Sequence, residues 1–418
     1  MEEGGNNDCL MTDNVLQKRS IRGISDSKLR IIVTGLVGLY PLGGVAWDYL
    51  QYPIGLLKLG HEVYYHEDTW SWPSQPIEKT YTQDPKYSVG YIGDFVEKYA
   101  SGLRERWHYL HLHETSFGMS REKFDEIAAS ADLFLNVSGA CMIPENLSGA
   151  CVKVFLDTDP GYNQIMMSER FAWSENVDRW CSSVDAHDRH LTYAENIHGP
   201  DCLVPRLGYD WKTTRAPICI EHWDHLAGLR PKGPWTTVMT WSAFKGKLIY
   251  KGVEYGSKGA EFEKLMNLPA MANIPMKVAV GGVRAPAERL SQAGWQVADG
   301  PEATRTPAMY QDFIGSSRGE ISAAKQVYVE MRTGWFSCRS AGYLASGRPV
   351  VVQDTGFTPV IESGEGIIAF NTAEQAALGL MDVEREYERH ATAALEMARQ
   401  YFDSSKVLRK LIDDVYSI

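Results

Sequence analysis

Three groups of residues in this chain have the types and spacing to do chemistry. The first lies in the segment from Gly334 to Gly356, GWFSCRSAGYLASGRPVVVQDTG. Ser337 is placed to cap a short helix, Gly347 to end it, and Pro349 to prevent its continuation. Ser337, Arg339 and Ser340 then stand in the first turn. Free amides and the helix dipole favour an anion there, and the guanidinium adds charge. A diphosphate meets that description. The second group is Lys258 within Tyr255-Gly256-Ser257-Lys258-Gly259, a cation opening a helix after a strand and loop. The third is carboxylates. Asp157 and Asp159 close a buried strand in the run Asp157-Thr158-Asp159-Pro160. That spacing is an Asx turn and helix cap. It is also a pair in which one carboxylate raises the pKa of the other and makes it a base. Asp48, one turn into a helix after a glycine loop, is a further candidate base; its structural alternative is a charge stabilising that helix N-terminus.

Other groups carry less specific signals. Gly43 and Gly44 let backbone approach a phosphate or simply make a tight turn. His66-Glu67-Asp68 ends the second strand at the same sheet edge. Lys245 and Lys247 follow a later strand in an ordinary exposed pattern. His187, His190 and His198 lack an H-x-x-x-H spacing, and the seven cysteines contain no C-x-x-C, so no metal centre is predicted.

The elements that must position these groups form two α/β series. Leu29–Thr34 reads as a strand, Gly35–Gly44 as a glycine-rich loop, Val45–Leu59 as a helix and His61–His66 as a strand, which together make a βαβ unit. The glycine spacing is not that of a dinucleotide fingerprint. Further strands at 133–137 and 152–156 end in small polar residues, at the edge where open α/β sheets bind ligands. The proline-bearing stretch 208–234 reads as a linker. A second series follows, with strands at 236–241, 276–280, 295–297, 319–322 and 350–353. The helix 402–417 carries Val407, Leu408, Leu411, Ile412 and Val415 at helical spacing.

The segment 334–353, the Lys-Gly segment at 255–262 and the tail GFTPVIESGEGIIAF resemble the donor-binding domain of GT-B nucleotide-sugar glycosyltransferases, especially the large retaining family four. The resemblance spans about residues 235–380. It implies two Rossmann-like domains facing across a cleft, with C-terminal helices crossing back to the first. The expected division is a polar tail at 1–27, an acceptor domain at 28–212, a donor domain at 213–385 and crossing helices at 386–418. It also implies that Lys258, Ser337, Arg339, Ser340, Gly43 and Gly44 hold the donor diphosphate, with Glu362 near the donor sugar or ribose and Glu365 competing for that place. Asp157, Asp159 or Asp48 would act on the acceptor. The chain departs from the family where two glutamates normally stand seven residues apart across the loop and helix: those positions are Gly334 and Gly342. Donor sugar, nucleotide and stereochemical outcome therefore stay open.

Composition sets the remaining bounds. A chain of 418 residues is long for one core and predicts two domains. Twelve Trp and 21 Tyr imply large aromatic cores or an aromatic-lined cleft. The net charge of −11 disfavours a nucleic-acid acceptor, which needs a basic face. No apolar run approaches membrane-spanning length, and an odd set of scattered cysteines without a secretory apolar segment fits reduced thiols in the cytoplasm. The expectation is a metal-independent glycosyltransferase with a nucleotide sugar as co-substrate and no other cofactor. The acceptor is a small molecule or macromolecule. The alternatives are a non-catalytic nucleotide-sugar binder and an enzyme acting on modified bases of phage DNA.

Overall fold

The computed structural model describes residues 27–169, 175–242, 248–282 and 284–417. Residues 1–26 of the expected tail, and Lys245 and Lys247, lie outside the described residues.

Eight strands form the first sheet: β1 (Arg30–Thr34), β2 (Glu62–Asp68), β3 (Trp107–His111), β4 (Thr115–Gly118), β5 (Leu133–Val137), β6 (Val152–Asp157), β7 (Arg189–Thr192) and β8 (Trp211–Thr213). Their order is β8-β7-β6-β5-β1-β2-β3-β4, parallel except for the β3–β4 pair. Every residue of β5 is buried, as expected for a parallel strand covered on both faces. The second sheet has six parallel strands: β9 (Trp235–Thr240), β10 (Met276–Gly281), β11 (Gln296–Asp299), β12 (Glu320–Ser322), β13 (Val350–Gln353) and β14 (Ile367–Phe370), in the order β11-β10-β9-β12-β13-β14. In each sheet the strand order reverses beside the first strand, between β1 and β5 and between β9 and β12. Such reversals open a crevice at the carboxyl ends of the strands.

Four helices pack together where the halves meet, α1 (Gly43–Lys58), α3 (Pro307–Ser316), α4 (Cys338–Ala345) and α5 (Ser404–Tyr416), while α2 (Lys258–Phe262) lies within the second half. Trp47 of α1 is the centre of the weld. Its indole N–H donates to Pro307 O at 3.1 Å, and its ring packs on Trp223 at 5.2 Å. Gly43 is required here. A Cβ on it would stand 2.3 Å from the Thr306 carbonyl oxygen, and its amide donates to Thr304 O at 3.0 Å. The C-terminal chain returns to the first half beside the outgoing one: Ile218 N donates to Phe402 O at 2.7 Å, and Ser404 N to Ile218 O at 2.9 Å. Leu408, Leu411 and Ile412 of α5 then share an apolar core with Ile31, Val33 and Leu56. The helical spacing read from sequence at 407–415 is the face that makes this contact.

Two local readings change. The stretch 208–234 is not all linker, because Trp211–Thr213 pairs in parallel with β7 as the sheet's edge strand. Three residues are too few to show a period, and burial of Trp211 fixes them. Residues 384–400 also read as one helix in the sequence, whereas the helix begins at Tyr387, after a break at Glu386. The break turns Tyr387 into the second core, where its hydroxyl donates to Arg318 O at 2.6 Å.

Candidate functional site

The carboxyl ends of the two sheets face each other across a cavity of about 510 Å³. Val137, Ser138, Thr158, Asp159 and Tyr193 line it from the ends of β5, β6 and β7. Val238 to Thr240, Gly281 and Gly282 line it from β9 and β10, with Gly300, Pro301 and Thr304 beside them. The glycines leave that wall flat. A Cβ on Gly300 would come within 3.1 Å of the Gly281 amide nitrogen.

One wall is cationic. Lys258, Lys325 and Arg339 all line the cavity. Arg339 is held from behind: it donates Nε to Glu320, Nη1 to Val238 O at 2.7 Å and Nη2 to Ser322 Oγ. Glu320 is fully buried in the sheet and balances its charge. Lys325 pairs with Asp159 across the cleft, and Tyr328 donates its hydroxyl to the same carboxylate. Lys258 differs from both. Its ammonium makes no hydrogen bond or ion pair with a described residue. Burial, followed by the nearby Arg339, holds its pKa well below the usual lysine value, while Glu320 opposes the shift. A partly buried ammonium beside other cations calls for an anion.

α4 adds its amides. Ser337 is the N-cap by position, yet its side chain makes no capping bond, and it lines the cavity. Its hydroxyl is therefore not committed to the helix. Ser340 does not reach this space. It is buried with its Oγ unpartnered among the described residues, and it lines a separate void of about 20 Å³ behind the helix. Of Ser340, expected at the diphosphate, only the backbone lies in the first turn of α4, and the side chain does not line the cavity.

The opposite wall comes from α1 and the first sheet. Asp48 lines the cavity, takes a hydrogen bond from the Cys338 thiol and lies close to Arg339. Burial nevertheless dominates and pushes its pKa up to about 6. Tyr49 donates its hydroxyl to Ser138 Oγ at 3.0 Å, and Ser138 bonds Thr158. Ser138 has φ +61, a conformation that non-glycine residues hold only when packing imposes it.

Of the expected carboxylates, Asp157 does not line the cavity. It is fully buried and accepts four hydrogen bonds: from Asp159 N at 3.0 Å, and from Asn163 Nδ2, Gln164 Nε2 and Thr192 Oγ1 at 2.7 Å each. A carboxylate met on all sides by fixed donors shapes its loop and is a poor proton acceptor. Burial raises its pKa, and those bonds oppose the rise. Asp159 is at the cavity but committed to Lys325 and Tyr328. Asp48, the runner-up in the sequence, is the carboxylate whose place and basicity suit a base.

Gly44 lines the cavity in the first turn of α1, whereas the Gly43 amide is used on Thr304. Glu362 is exposed and away from the cavity, near Tyr401, and Glu365 pairs at the surface with Arg389 at 3.7 Å. The motif register that aimed Glu362 at the donor fails because its loop turns outward to solvent. Gly334 has φ +81, and a Cβ there would meet the Asn196 amide nitrogen at 2.3 Å, so no glutamate fits at that position. Lys325, Tyr328 and Cys338 were missed. Lys325 follows β12 by three residues, and the rule that ligands gather at the carboxyl edge would have found it. Among the described residues no group of three His, Cys, Asp or Glu stands together as a metal site, and no helix is long and apolar enough to cross a membrane.

Neither a protein-family model nor a curated protein sequence matches the chain. Solved structures do. An α-glucosyltransferase in complex with UDP and a 13-mer DNA containing a HMU base aligns over 94% of this chain and 100% of its own, at 13% identity and a TM-score of 0.55. Anabaena HepE in complex with UDP and glucose aligns over 93% and 100%, at 12% identity and 0.53. Sucrose-phosphate synthase from Thermosynechococcus elongatus aligns over 92% and 98%, at 10% identity and 0.50. The fold is the two-domain GT-B arrangement, with both Rossmann-like halves matched in order.

Proposed function

We propose that this chain is a glycosyltransferase that moves a hexose or pentose from a nucleoside diphosphate sugar to an acceptor hydroxyl or amine, in the cytoplasm and with no cofactor besides the donor. The observation that carries the reading is Lys258: a partly buried ammonium with no partner among the described residues, beside Arg339 and the first turn of α4, in a cleft between two Rossmann-like sheets. A diphosphate supplies the missing charge. Lys258 would neutralise the leaving diphosphate as its negative charge grows, and the α4 amides and Ser337 would orient it. The glycine-lined wall from β10 to Pro301 suits the nucleoside. Asp48 would accept the acceptor's proton.

The carboxylate-free positions Gly334 and Gly342 favour a second reading, a protein that binds the nucleotide sugar without turning it over. One experiment separates the two. UDP-, GDP-, ADP- and dTDP-sugars are titrated calorimetrically and then assayed for release of the nucleoside diphosphate. One donor should bind and turn over, and Lys258→Ala should lower the catalytic constant more than it raises the Michaelis constant. Binding without release would establish the second reading. Absence of binding by every donor would end both.

A further inference from the structure

A second group of side chains stands at the outer part of the first sheet's carboxyl edge, unused by the cavity chemistry. β2 ends at Asp68, and His113 sits at the tip of the β3–β4 hairpin. The His113 Nδ1 and Asp68 Oδ2 atoms are 2.7 Å apart. Trp70 lies flat on the imidazole, with ring centroids 4.1 Å apart and planes 17° from parallel. Asp68 is only 6% exposed, and its Oδ1 has no partner among the described residues. Three non-glycine residues here are left-handed: Trp70 at φ +50, Leu112 at +51 and His113 at +63. Strain of this kind, of order 1–3 kcal/mol each, persists where the surroundings impose it and clusters at ligand sites.

The aromatic faces are presented to solvent. Trp70 is 53% exposed and Trp72 49%, with Tyr81 close by in sequence pairing to Ser74. They are nonetheless anchored. Ser74 N donates to Leu39 O at 2.8 Å, and Lys79 pairs at 2.9 Å with Asp299, the residue before cavity-lining Gly300. The small hairpin of Ser74–Gln75 and Thr80–Tyr81, which follows Trp70 and Trp72 in the chain, therefore reaches the cavity rim through Lys79.

The geometry points to this platform as a binding site for a neutral glycan whose terminal hydroxyl is presented to the cavity. A solvent-exposed indole takes the C–H face of a pyranose, and the exposed His113 imidazole, oriented by Asp68 behind it, can bond its hydroxyls. Charge decides against a nucleic-acid strand. Lys79 and Lys86 are paired with Asp299 and Asp84, while Glu78 and Glu114 add exposed carboxylates. A polyanion needs a basic groove alongside its stacking residues. That the glycan is the acceptor rests on the glycosyltransferase reading; that the platform binds a glycan does not.

The test titrates the full chain with maltohexaose, cellohexaose, xylohexaose and a 12-mer oligothymidylate by tryptophan fluorescence, and with UDP by calorimetry. At least one hexasaccharide should bind saturably. Trp70→Ala should weaken it about tenfold or more, and Trp70→Phe should restore most of the loss, with UDP affinity retained in both. The assignment falls if no hexasaccharide binds, if Trp70→Ala binds as wild type does, or if the oligothymidylate binds more tightly than every sugar. Hexasaccharide binding by a chain that binds none of UDP, GDP, ADP and dTDP would uphold the platform and remove the proposed function.

Discussion

Replacing Asp48 by Asn tests the chemistry most directly, because the structure gives the proposed base a pKa within reach of a pH profile. Burial raises the carboxyl to about 6, against the lowering effects of the Cys338 thiol and Arg339. At that value the group is roughly nine-tenths ionised at pH 7 and about one-tenth at pH 5. A base must be ionised to work, so activity is present above about pH 6 and is lost as pH falls through it. The quantity to measure is kcat/KM for nucleoside diphosphate release with acceptor present, from pH 5 to 8. It reports the free enzyme, the state in which Asp48 has this environment. Wild type should fall about tenfold per unit on the acid limb. Asp48→Asn keeps the size, removes the charge, and should lose about 10²–10⁴-fold at pH 7 together with the limb itself. Cys338→Ala removes a bond that favours the ionised form, so its limb should move to higher pH. A wild-type profile flat across this range would refute the reasoning. So would an Asn variant that keeps the limb.

The other predictions concern what holds the site. Arg339→Ala should lower stability by about 3–5 kcal/mol in denaturant titration, because Glu320 is left as a fully buried unpaired charge. Adding Glu320→Gln should return part of that, and purely additive losses would deny the pairing. Gly43→Ala should cost about 1–3 kcal/mol, since its Cβ would overlap the Thr306 carbonyl oxygen and force α1 from the second half; an unchanged Tm would contradict the close approach. Asp157→Asn should destabilise by about 1–3 kcal/mol, because its amide turns a donor toward donors, while a folded sample keeps near-normal kcat/KM. A large loss of turnover at unchanged stability would restore Asp157 as the base.

The sequence determined what is local. A serine at the N-cap position, a terminating glycine and an apolar triplet specify α4 and β13 within twenty residues, so the helix whose first turn is the proposed diphosphate site was legible. Lys258 was legible for the same reason, as was α5, whose apolar positions recur at one helical period. Tertiary structure decided which carboxylate is available. Asp157 and Asp48 look alike in the chain, each beside a helix start. Asp157 is silenced by Asn163, Gln164 and Thr192, and Asp48 is tuned by Cys338 and Arg339, about 290 residues further on. The same holds for Arg339, whose partner Glu320 reaches it only once β12 lies behind α4. A side chain's type fixes what it can donate or accept. Whether it remains free to do so depends on desolvation and on neighbours that distant segments supply, and those exist only after the two sheets have closed on each other.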